Sequence, residues 1–282
     1  MHPTLRLVRV GNLAVSFVGT LVGGLVARGS GFLAPLSFWA AVILAGISTA
    51  LITAAGNVLN DVLDVEGDRT NHPDRPLVTG AVSIDTARGL VVGLFMAGLI
   101  VVLPVIALYP LVGLILGLAV AAILGYEFLL KARGFVGNMV VAFLTAMVFL
   151  YGGAAGGNAA LLLPFAGMAF LATLSREVIK DMEDIRGDVG RTTLPMAYGV
   201  PFAARVAQVA VLAAVVLSAV PLAWFVRATS VAGIIYIGLV AVADLVFGVS
   251  VRHLPERLHY EQTMSKVAMT VALFAFLAVA FR

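Results

Sequence analysis

Cysteine is absent from this 282-residue chain, which removes disulfides, thiolate zinc sites and cysteine nucleophiles together. Charge is scarce. Asp, Glu, Lys and Arg make up 12% of the residues, against about 25% in a typical soluble domain. Hydrophobic residues reach 61%, and the mean hydropathy is +1.07. A soluble domain needs a polar exterior, and one core does not hide this much apolar surface. The composition therefore excludes a soluble enzyme, a disordered chain and a disulfide scaffold, and indicates an all-α polytopic membrane protein. The formal net charge of +3 forms no basic face for a nucleic acid, so no nucleic-acid partner is expected. Membrane lipids are the expected surroundings.

Apolar runs of about 20 residues, the length that spans a bilayer, predict nine spans: about 12–28, 35–59, 84–103, 107–126, 135–154, 159–179, 201–225, 229–251 and 263–281. The first has full spanning length and many similar runs follow it, so it reads as a span and not as a cleaved leader. Turn signals such as Gly29-Ser30-Gly31, Gly156-Gly157-Asn158 and the pair Pro104 and Pro110 separate most of them. The whole chain, 1–282, reads as one transmembrane domain. With an inner N-terminus, only Arg28, Arg227 and Arg282 of the 18 Lys and Arg fall on the outer side. That bias predicts a cell-membrane protein whose N-terminus and active-site loops are cytoplasmic.

Acids are clustered. Of 15 acidic residues, ten lie in 57–76 and 176–191, at the cytoplasmic ends of the second and sixth spans. Asn60, Asp64 and Asp68 recur at helical spacing, as do Asp181, Asp184 and Asp188. The pattern Asp-x-x-Asp-x-x-x-Asp occurs at 61, 64 and 68 and again at 181, 184 and 188, each time with Gly just before the last Asp. Two carboxylates 5–6 Å apart repel by roughly 3 kcal/mol at an effective dielectric near 20, so such a face calls for a cation. Oxygen donors without His or Cys suit a hard cation, Mg2+ before Zn2+. Mg2+ is commonly held by one or two carboxylates plus substrate phosphates. Arg75, Arg176, Lys180 and Arg191 lie among the acids and suit those phosphates.

These motifs, with Asp74-Arg75-Pro76-Leu77-x-x-Gly80 after the first and Tyr126 and Lys131 after span four, resemble the UbiA-type intramembrane prenyltransferases over the whole chain. The resemblance implies nine helices around a central cavity capped by two Asp-rich loops. It implies Mg-dependent transfer of a prenyl group from an allylic prenyl diphosphate donor to a lipophilic acceptor. By the same resemblance, Asn60, Asp64 and Asp68 would hold one Mg2+ and Asp181, Asp184 and Asp188 the other. Asp64, Asp68, Asp184 and Asp188 are the expected catalytic set, with Asp61 and Asp181 alternatively orienting the ligands. Arg75, Lys131, Arg176, Lys180 and Arg191 are expected to contact substrate. Tyr126 would lie near the allylic cation or serve as an interfacial tyrosine.

The segments 10–12, 134–141 and 149–153 look most like an archaeal branch of that family. Its members add a geranylgeranyl group to geranylgeranylglyceryl phosphate, a glyceryl phosphate lipid, and form an ether. Aromatic-acceptor relatives share the metal motifs, and residues 71–78, Asn-His-Pro-Asp-Arg-Pro-Leu-Val, differ from the common Asn-Arg-Pro-Ile-Pro. Eight mouth cations, Arg69 and Arg133 among them, favour a phosphate-bearing acceptor. A membrane cation transporter is the rival from another class. It places acids near the midplane, where only Asp244 inside span eight is a candidate. Asn138 and Gln208 are expected to bond between helices, and Gly19-x-x-x-Gly23, Gly89-x-x-x-Gly93 and Gly113-x-x-x-Gly117 to pack helices closely.

Overall fold

The computed structural model describes residues 2–29, 33–185 and 192–282. Among them are no strands and nine helices long and apolar enough to cross a membrane. These are α1 (Val10–Arg28), α2 (Leu36–Leu63), α3 (Ile84–Leu108), α4 (Pro110–Gly125), α5 (Phe135–Ala155), α6 (Leu163–Glu183), α7 (Val200–Leu217), α8 (Val231–Arg252) and α9 (Leu258–Val279). Each packs on the next, and α9 packs back on α1, so the ring closes. Large apolar side chains such as Ile100, Leu118, Leu212 and Leu245 stay exposed on the outside, as lipid-facing residues do.

The helix ends differ from the apolar runs where polar residues continue a helix. The second helix reaches Leu63 and the sixth Glu183, so each carries its motif on its last turn. Between α3 and α4 only Tyr109 intervenes. Pro104 sits inside α3, and Pro110 occupies the first turn of α4, where its missing N–H costs no intrahelical bond.

Glycine closes one end of the ring. A Cβ on Gly152 of α5 would lie 2.0 Å from the Thr20 carbonyl of α1, and one on Gly23 would lie 2.5 Å from the Phe149 carbonyl. The Gly19 and Gly23 pair therefore brings α1 onto α5, as expected. The other two patterns do not act this way. Gly89, Gly93 and Gly117 have nothing within 4 Å of a built Cβ, and Gly113 meets only Ile106. Spacing marks a stripe of small residues, but only the fold decides whether it faces a helix. Gly98 does that work for α3, against Leu51 and Ile52 of α2. Phe276 adds edge contacts to Phe149 at 5.6 Å and Phe165 at 4.8 Å. The closed end lies away from the two motifs, so the interior opens beside them.

Gly152→Val should force α1 and α5 apart and lower stability by about 1–3 kcal/mol. The heating midpoint of the detergent-solubilised protein should fall by several degrees, whereas Gly117→Ala should leave it level or raise it slightly. Equal midpoints for the two variants would contradict the closing role of this contact.

Candidate active site

The two motifs start from the same backbone geometry. Asp64 caps the C-terminus of α2 with φ −92° and ψ 0°, and Asp184 caps α6 with φ −90° and ψ 2°. This is the sparsely allowed bridge region in which active-site residues recur. Hydrogen bonds from Asp64 N to Asn60 O (3.0 Å) and from Asp68 N to Asp64 O (2.9 Å) carry the helical register into the helix Val65–Asn71. Asn60, Asp64 and Asp68 thus keep their common face despite the break. A carboxylate at a helix C-terminus meets the negative end of the dipole, which sharpens the demand for cations.

The ring encloses a cavity of about 1430 Å3 with both motifs at its mouth. Asn60, Asp64, Asp68, Arg75, Tyr126, Lys131, Arg176, Lys180 and Asp184 line it. Below them the wall is largely apolar, with Ile52, Leu116, Ile123, Met147 and Met168. The exception among the described candidates is Asp181. It is buried behind the wall and accepts a hydrogen bond from Asn138 Nδ2 at 2.7 Å, so it stands where an orienting group would and not on the cavity surface. Asp61, first in the other motif, is buried too and accepts from Arg9 and Arg75. Asp188 and Arg191 lie outside the described residues.

Cations hold the mouth acids. Lys131 Nζ lies 2.6 Å from Asp64 Oδ2 and 3.1 Å from Glu127 Oε2. Arg75 pairs with Asp68 and reaches Asp61 at 3.2 Å. Arg176 pairs with Glu177, which Lys180 also contacts at 2.9 Å. Arg69 and Arg133 do not line the cavity. The wall carries Arg9, Arg75, Lys131, Arg176, Lys180 and Lys266 against Asp64, Asp68, Glu127, Glu177, Asp184 and Asp244. Among the described residues the expected surplus of mouth cations is therefore a balance.

The linear sequence left three of these residues unassigned. Glu127 is nearly buried and joins the first motif to the α4 end, accepting from Asn60 Nδ2 at 2.9 Å. An acid one turn before Lys131 at the end of an apolar run was the available signal. The chain there forms π-helical turns over Tyr126–Leu130, a device frequent at functional sites. Arg9 has a left-handed backbone, φ 57°. It turns the short helix Pro3–Val8 back over the first motif, where Arg6 pairs with Asp74 at 2.9 Å and Asn57 Nδ2 donates to the Val8 carbonyl at 2.9 Å. Lys266 lines the cavity from α9. Asn138 and Gln208 bond between helices as expected, Gln208 to the Val251 carbonyl at 3.0 Å.

The donor set tests the expected metal. Among the described residues no three acids or histidines gather closely enough to cage an ion. The oxygens of Asn60, Asp64, Asp68 and Asp184 instead face one mouth from two walls. That donor set suits Mg2+, which is shared between a few carboxylates and phosphates.

The sequence profile of the UbiA prenyltransferase family matches residues 16–279. The chain is 38% identical over 247 residues to the digeranylgeranylglyceryl phosphate synthase of Methanoculleus marisnigri, covering 86% of this chain and 82% of that protein. A solved structure of a digeranylgeranylglyceryl phosphate synthase aligns with a TM-score of 0.80 and 28% identity, over 99% of this chain and 98% of that one. A UbiA homologue from Archaeoglobus fulgidus, solved with GPP and Mg2+, shares the fold with a TM-score of 0.68 and 19% identity over 99% of each chain. The chain belongs to the UbiA prenyltransferase family.

Proposed function

We propose that this prenyltransferase moves a geranylgeranyl group from geranylgeranyl diphosphate to the free hydroxyl of geranylgeranylglyceryl phosphate, forming an ether. The observation that carries the reading is the cavity. Oxygen donors and Arg/Lys crowd the mouth of this space of about 1430 Å3, and its deeper wall is largely apolar. Drug-sized ligand pockets hold about 300–1,000 Å3, so this one is sized for two lipid chains. Relatives named for this activity, aligned over most of the chain, support the same choice of acceptor.

The chemistry follows from charge. Breaking the C1–O bond of an allylic diphosphate leaves a delocalised cation and a highly charged leaving group. Arg75, Lys131, Arg176 and Lys180 stabilise that leaving group from the mouth. Mg2+ held by Asn60, Asp64 and Asp68 on one wall and Asp184 on the other would supply Lewis-acid stabilisation of the same charge. Asp181 and Asp61, behind the wall, orient these groups. The apolar wall keeps water from the allylic cation, and Tyr126 offers it a ring face at the mouth. Asp188 and Arg191 complete the second motif in this reading.

We also infer that the mouth is cytoplasmic, because fifteen Lys and Arg fall on its side of the nine spans and three on the other. In intact cells an outer protease should reach a tag after Arg282 and spare one before Met1. The reverse pattern would place the motifs outside.

Purified protein with Mg2+ should convert geranylgeranyl diphosphate and geranylgeranylglyceryl phosphate to the diether, and EDTA should stop it. The dephosphorylated acceptor should be used roughly ten- to a hundred-fold less well in kcat/KM, the equivalent of one charge-assisted phosphate contact. Faster transfer to 4-hydroxybenzoate or a naphthoate would overturn the acceptor assignment. Full activity in EDTA would overturn the metal assignment.

A further inference from the structure

The cavity has a further polar face, on α8 and α9. Asp244 of α8 and Lys266 of α9 both line it, together with Ser218 at the end of α7 and Thr270 of α9. They are equally far along the chain from Pro255, in the turn that joins α8 to α9. Antiparallel packing of the two helices therefore sets them at similar depth. Both belong to spanning helices, and Asp244, partly buried near the middle of α8, is an ionisable group costly there and functional by default.

Neither charge is neutralised. Among the described residues Lys266 forms no ion pair. Its Nζ has only the neutral Gln262 Oε1, at 3.4 Å. It differs in this from the other cations on the wall, since Arg9, Arg75, Lys131, Arg176 and Lys180 each hold a carboxylate. Asp244 likewise has no ion pair among the described residues. The Ser218 hydroxyl lies 3.0 Å from Asp244 Oδ2 and 2.7 Å from the Val215 carbonyl. One hydroxyl proton serves one acceptor at a time, so Asp244 keeps acceptor capacity directed at the cavity. A cation and a carboxylate on neighbouring helices of one cavity, not bonded to each other, present a donor for an anion and an acceptor for an O–H.

We propose that Lys266 and Asp244 form the acceptor subsite, Lys266 binding the acceptor's phosphate and Asp244 its free hydroxyl. The assignment rests on the acceptor reading above and names the residues that enforce it. Asp244 accepts the hydrogen bond of the hydroxyl and takes its proton. The hydroxyl oxygen bonds to C1 of the donor as the C1–O bond to the diphosphate breaks, and that electron pair leaves with the diphosphate. The motif walls then serve the donor and the α8–α9 face serves the acceptor.

Steady-state kinetics with geranylgeranylglyceryl phosphate and its dephosphorylated form test this. Lys266→Met should raise the KM of the phosphorylated acceptor at least tenfold. It should also collapse the ten- to hundred-fold phosphate preference of the wild type to near unity, with the donor KM within about twofold. Lys266→Arg should retain most of the preference. Asp244→Asn keeps an oxygen for the Ser218 hydroxyl and loses the charge. It should lower kcat at least tenfold for both acceptors and change acceptor KM little, with an unshifted heating midpoint as the check on folding. A wild-type preference that survives Lys266→Met, or an Asp244→Asn enzyme with normal kcat, would overturn the subsite alone. A wild type indifferent to the phosphate would overturn the acceptor reading and the subsite together.

Discussion

Carboxylates at the C-terminal ends of membrane helices are the constraint on which this structure turns. Asp64 and Asp184 cap α2 and α6 with nearly identical backbone angles. Each adds a negative side chain to the negative end of a helix dipole, at the edge of a low-dielectric slab where charge is weakly screened. Cations must meet them. In the first motif the protein provides its own, Lys131 on Asp64 and Arg75 on Asp68. These are also the groups suited to receive phosphate. One arrangement therefore serves two conditions. Protein cations hold the carboxylates, and in the proposed reaction they would turn to the diphosphate where Mg2+ took their place.

The remainder of the fold supports that mouth. Glycines bring α1 onto α5 away from the motifs, and the largely apolar wall beneath the mouth would shield the proposed allylic cation from water. Behind the wall Asn138 holds Asp181, and Arg9 and Arg75 hold Asp61. The two motifs are thus anchored by equivalent buried aspartates while the next carboxylate in each faces the cavity.

Much of this was legible in the linear chain. Nine apolar runs gave nine helices, and two acidic motifs in register gave one mouth, because hydropathy and helical spacing are local properties. Helix ends were less legible, since α2 and α6 continue through polar residues that hydropathy assigns to loops. Asp181 and Asp184 look equivalent in a motif. Yet they stand about 60° apart around the helix axis, and Asp184 already caps the helix end, so one meets Asn138 of α5 and the other the cavity. Glycine spacing likewise identified a stripe on α3, Gly89 and Gly93, without saying that it faces no helix. Arg9, Glu127 and Lys266 reach the cavity only through tertiary packing, and their charges alone looked like topology signals or surface.

The central claim is that the mouth carboxylates hold Mg2+ together with a donor diphosphate, the shared arrangement usual for this ion. Calorimetric titration of Mg2+ into purified protein, with and without a non-reactive thiolo analogue of geranylgeranyl diphosphate, measures this directly. The account predicts Mg2+ affinity at least tenfold tighter with the analogue, and loss of that gain in Asp64→Asn. Equally tight Mg2+ binding with and without the analogue would contradict it.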